Sequence, residues 1–110
     1  MYDVIITPAV EDQLRDTTTY IAYELYDPDA ADRLVDKFEE ALNELEKFPK
    51  GFAPVEDEPW HSIPIRLCMV NSYCLYFWVK EDAKEVYLTL WIHEKRDRDN
   101  ALYDMDHVWE

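Results

Sequence analysis

Twice near its start the chain sets a helix-capping residue directly before a proline, and an apolar stripe of helical period follows each time. Thr7-Pro8 opens the first, after which Val10, Leu14, Thr17 or Thr18, Ile21 and Leu25 recur at the spacing of one helix face. That helix is expected to end near Tyr26. Asp27-Pro28-Asp29 opens the second, and Ala31, Leu34, Val35, Phe38, Ala41, Leu42, Leu45 and Phe48 form its stripe. Pro49-Lys50-Gly51 supplies the stop. So short a connection predicts two antiparallel helices, a helical hairpin with its acidic residues facing water.

The rest reads as strand. Residues 2–7, rich in β-branched side chains, predict an opening strand, and residues 49–64, with four prolines, an irregular loop. Ile65 to Val70, Tyr73 to Lys80 and Glu85 to His93 follow, joined by tight turns at Asn71-Ser72 and around Glu81 to Lys84. Tyr73 to Val79 is apolar on both faces, which places it centrally. Strict alternation in the last strand assigns Val86, Leu88, Leu90 and Ile92 to the helix side, and Tyr87, Thr89, Trp91 and His93 to the other. That second face is unusually aromatic for a solvent side. A short helical turn is expected around Asn100 to Tyr103. The element order β-α-α-β-β-β gives an α+β fold of two layers, a helical hairpin packed on a four-stranded, mainly antiparallel sheet. Residues 1–110 are expected to form a single domain, with 103–110 as a possible tail.

The two cysteines flank the Asn71-Ser72 turn. A two-residue loop sets Val70 against Tyr73, Met69 against Cys74 and Cys68 against Leu75, so the sulfurs point to opposite sides and a disulfide is not expected. The start lacks the basic and apolar regions of a signal peptide, and no apolar run is long enough to cross a bilayer. A cytoplasmic protein, with no membrane association, is the expectation. The three histidines lack metal-ligand spacing, and neither a phosphate-cradling glycine loop nor a nucleophile motif is present. No metal and no cofactor are therefore expected.

A net charge of −14 argues against binding nucleic acid, because phosphate contacts are chiefly cationic. The charge is unevenly distributed, however. Residues 1–60 hold 16 acids against 5 bases, whereas residues 61–99 hold 6 of each. The sheet half could still carry a local basic patch.

Several strings resemble one family. The opening Tyr2-Asp3-Val4-Ile5-Ile6-Thr7-Pro8-Ala9-Val10-Glu11-Asp12-Gln13-Leu14 resembles the first strand and helix start of RelE/ParE toxins, the plasmid-stabilisation proteins of type II toxin–antitoxin systems. Glu58-Pro59-Trp60-His61-Ser62 with Ile65-Arg66, the Val70-Asn71-Ser72-Tyr73 turn and the closing Lys95-Arg96-Asp97 resemble later segments of that superfamily. The likeness spans residues 2–102. It implies a growth-inhibiting toxin neutralised by a cognate antitoxin. RelE-like members are metal-independent endoribonucleases, mRNA interferases acting on the ribosome; ParE-like members poison DNA gyrase. Cys74 and Leu90 stand where nuclease members tend to carry basic residues, and Tyr73-Cys74-Leu75-Tyr76 reads closer to the ParE side.

Metal-free RNA cleavage needs a general base, a general acid and cations on the phosphate. His93 has the intrinsic pKa for proton transfer, and Arg66 and Arg96 complete the candidate catalytic set. Lys95 could add a phosphate contact, Tyr73, Tyr87 or Trp91 could stack on a base, and His61 could meet an antitoxin or target. Three functions follow: an mRNA endonuclease, a gyrase poison, or an inactive relative acting as a protein-binding module. In each, the antitoxin segment is expected to be basic or strongly apolar, lying on the sheet face near Trp91 or in the groove beside the helices.

Overall fold

The computed structural model describes residues 1–55 and 64–95. The elements are β1 (Asp3–Ile6), α1 (Pro8–Thr19), α2 (Pro28–Lys47), β2 (Ile65–Val70), β3 (Tyr73–Lys80) and β4 (Glu85–His93), with a π-helical turn at Tyr20–Glu24 and a 3-10 turn at Pro49–Gly51. The sheet order is β1-β4-β3-β2, so β3 is internal, as its two apolar faces require. Strands β2, β3 and β4 run antiparallel, and β1 lies parallel to β4. The expected turn of helix at Asn100 to Tyr103, the tail, and the loop residues 56–63 lie outside the described residues.

Both proline-led starts hold, by different means. The Asp27 carboxylate accepts the Ala30 amide at 3.0 Å, an N-cap that satisfies one of the free donors of α2. Thr7 occupies the cap position of α1 without a side-chain cap bond. Its hydroxyl instead donates to the Leu88 carbonyl at 2.7 Å and ties the helix start to β4. From α2, Ala31, Leu34, Phe38 and Leu45 are buried against the sheet. Each large side chain among them contributes roughly 1.5–3 kcal/mol by leaving water.

The stripes end sooner than their period suggests. At the π-helical turn the Leu25 amide reaches back five residues, to the Tyr20 carbonyl at 3.1 Å. That wider turn rotates the chain off the buried face, so Leu25, expected inside, is exposed. Phe48 is likewise exposed, because the backbone leaves helical geometry there at φ −137° and turns Pro49 inward instead.

Strand β4 departs most from its expected pattern. Tyr76 pairs with Leu90 and Phe77 with Leu88, so Thr89 is an extra residue, a β-bulge. One unpaired residue reverses the alternation beyond it. Val86 and Leu88 face the helices as expected, but Leu90 and Ile92 join the opposite cluster, and Trp91 joins the helix-side core. The bulge is satisfied internally: the buried Thr89 hydroxyl donates to the Tyr76 carbonyl at 3.1 Å. The face away from the helices is not a solvent surface either. Ile65, Cys74, Tyr76, Leu90 and Ile92 are buried there, with Val55, Leu67 and Trp78 against them.

The β2–β3 register is the one the cysteine argument needs, Val70 to Tyr73, Met69 to Cys74 and Cys68 to Leu75. The two free thiols accordingly fall in clusters on opposite faces. At the far end, Glu81 accepts hydrogen bonds from the Tyr2 hydroxyl and from Lys84 and pairs with Lys50, joining the β3–β4 turn to the chain start and to the 3-10 turn after α2.

Candidate functional site

One end of the sheet gathers aromatic rings from three elements. Trp91 of β4 stacks on Tyr73 of β3, ring centroids 4.9 Å apart, and on Phe38 of α2 at 5.5 Å. His93 meets Tyr73 edge-on at 5.2 Å. All four lie on the helix side of the sheet, where the bulge has turned Trp91 and His93.

Helix α1 locks this stack. β1 pairs with β4 only as far as Leu88, which leaves the outer edge of β4 open beyond it. Gln13 closes that gap, its side-chain oxygen accepting the Trp91 amide at 2.8 Å. One turn later, the Thr17 hydroxyl accepts the indole N–H at 3.1 Å. Gln13 and Thr17 are four residues apart and so share a helix face. Gln13 is not among the candidates that the sequence suggests; the available signal was two polar side chains in line beside an otherwise apolar stripe.

Of the candidate residues, His93, Tyr73 and Trp91 are brought together. The His93 ring is half-buried, and its Nδ1 accepts the Lys95 amide at 3.1 Å, which leaves Nε2 as the position for a proton in the neutral ring. Lys95 is exposed immediately beyond. The Tyr73 phenol is raised above its ordinary pKa by burial first and then by the neighbouring Tyr20. Tyr73 therefore stays protonated and can donate but not act as a base near neutrality.

Arg66 and Tyr87 stand apart. Arg66 pairs with Phe77, four residues along β3 from Tyr73, so roughly 13 Å of strand separates its position from that of His93. Its guanidinium donates to the Phe52 carbonyl at 2.6 Å and to the Lys50 carbonyl at 3.4 Å, holding the loop after α2. Tyr87 is on the opposite face beside Trp78, its hydroxyl donating to Glu85 at 3.1 Å. Trp91 is buried and offers neither a base-stacking surface nor the apolar contact surface expected of it. Arg96 and His61 lie outside the described residues.

Cys68 is buried, and desolvation followed by the nearby Glu44 pushes its thiol up to about 11. It is a core residue and not a nucleophile. Among the described residues no group of His, Cys, Asp or Glu could hold a metal ion, and no helix is long and apolar enough to cross a membrane.

Against known proteins, a family model described as ParE toxin of type II toxin-antitoxin system, parDE, matches residues 4–97. No curated protein matches the chain significantly. Among the described residues, the matched span takes in every strand and helix, β1 from its second residue, and the whole aromatic end of the sheet.

Proposed function

The chain belongs to the ParE toxin family of type II toxin–antitoxin systems, and from that premise we propose that it arrests growth by binding DNA gyrase in the cytoplasm, restrained by a cognate antitoxin. The observation that carries this choice over mRNA cleavage is the placement of Arg66. A metal-free nuclease needs its cation and its proton-transfer groups converging on one phosphate within hydrogen-bond reach. Arg66 is spent on the Phe52 and Lys50 carbonyls, some four strand residues from the level of His93. The stacking residues are divided as well, with Tyr87 on one face and Trp91 buried beneath the other. A protein that acts by binding has no such need for convergence.

Tightly controlled induction of the chain alone, beside a His93→Gln variant, tests the reading. The expected result is filamentous growth arrest with DNA breaks and intact mRNA, retained in the variant. New mRNA ends that disappear in the variant would establish the nuclease instead. Normal growth despite abundant folded protein would leave a protein-binding module without toxic activity.

A further inference from the structure

The tip of the helical hairpin carries a run of largely exposed aromatic side chains. Tyr20, Tyr23, Leu25 and Tyr26 are 55%, 73%, 55% and 87% exposed. Single exposed apolar side chains are ordinary, but four within the seven residues 20–26 concentrate apolar surface in one short segment, as contact surfaces do. The backbone beneath is shaped to present it. The π-helical turn swings Leu25 off the buried stripe, and turns of this kind recur at functional sites. Tyr26 sits at φ 54°, a left-handed conformation that asparagine or glycine would hold at lower cost. Its ring lies in solvent, and the conformation lets the Asp27 amide donate to the Ile21 carbonyl at 3.1 Å, closing the end of the helix.

Along the chain, the charges on this segment have one sign. Asp16, Glu24, Asp27, Asp29 and Asp32 fall between Arg15 and Arg33, with no basic residue among them. Arg15 is turned back toward Glu11 and Asp12 by ion pairs of 3.2 and 3.1 Å. Exposed tyrosines interspersed with carboxylates suit a guanidinium, which stacks on a ring while its fork reaches a carboxylate. A nucleic-acid backbone would be repelled here, and a second copy of so acidic a chain would bring like charge against like.

We propose that the hairpin tip, Tyr20 to Asp29, is the docking surface for an arginine-bearing segment of a partner protein, its guanidinium groups stacking on Tyr23 and Tyr26 and pairing with Glu24 and Asp29. The surface stands whether or not the chain arrests growth, since binding is read on the purified protein and toxicity in the cell.

The test titrates the intact chain with short peptides alternating leucine with arginine, lysine or glutamate, followed by amide chemical shifts. The arginine peptide is expected to bind saturably, with shifts concentrated at Tyr20 to Asp29. The lysine peptide should bind more weakly, and the glutamate peptide not at all. Combining Tyr23→Ser with Tyr26→Asn should weaken the arginine peptide about tenfold, the loss of two exposed stacking contacts. The Tyr26→Asn change relieves the left-handed strain, so the double variant should melt no lower than the parent. Glu24→Gln with Asp29→Asn supplies a second pair that leaves the rings in place and should also weaken binding. Unchanged binding by both pairs, or shifts centred elsewhere on the chain, would overturn the proposal. So would self-association through Tyr23 and Tyr26, which would make a second copy the occupant.

Discussion

The indole of Trp91 lies nearly parallel to the ring of Tyr73, 9° apart in plane, and its N–H is held by the Thr17 hydroxyl. One residue thus joins the sheet end, through Tyr73, to both helices, through Thr17 and Phe38. Removing it should be costly. Trp91→Ala is expected to lower the unfolding free energy by roughly 3–5 kcal/mol, the range for deleting a buried aromatic. Thr17→Ala, which only strips a hydrogen-bond partner from the indole, should cost about 1–2 kcal/mol. Urea denaturation of the two variants checks both size and order; near-equal losses would show that the stack contributes little beyond its one hydrogen bond.

At the bulge, Thr89→Ala leaves the buried Tyr76 carbonyl without the hydroxyl that now serves it. The expected loss is about 1–3 kcal/mol. Thr89→Val, which keeps the shape and removes the same hydroxyl, should lose a similar amount. A tolerated valine with a damaging alanine would assign the effect to packing instead.

Glu81 predicts an acid-sensitive contact. The hydrogen bond from Lys84, then that from Tyr2, holds its carboxylate at about 2, against an ordinary 4.5. A pKa lowered by folding contributes stability that is present above the unfolded value and lost as pH falls through the folded one. The parent should therefore lose thermal midpoint relative to Glu81→Gln between pH 4.5 and about 2. Parallel midpoints across that window would show that the bonds of this exposed group confer no net stability. Lys84 gives the mirror case: its ammonium is raised by the same bond, so its contribution is expected to vanish only at strongly alkaline pH.

The thiols should be silent in the native protein. Cys68 and Cys74 are buried on opposite faces, and Cys68 is pushed up to about 11. A thiol reagent near neutral pH is expected to label neither until denaturant is added, after which both should react. Rapid labelling of the folded chain would reveal local opening of β2 or β3.

What the sequence by itself determined was set by local chemistry. Proline after a capping residue at Thr7 and Asp27, the left-handed Asn71 turn, and the apolar runs of β2 to β4 each depend on neighbours a few residues away. The two-layer fold, the ends of β2 to β4 and the opposed cysteines followed from them. The tertiary structure alone decided which face β4 shows past Thr89. Alternation by twos carries no record of where one residue is skipped, and at the bulge the Thr89 hydroxyl donates to the Tyr76 carbonyl across the sheet. That single skip moved Trp91 into the core and Leu90 and Ile92 out of the helix layer. The π-helical turn did the same to Leu25, rotating it off a stripe that its spacing placed inside. Arg66 and His93, plausible partners in sequence, are kept apart by strand register, a property of the pairing between strands that neither strand encodes alone.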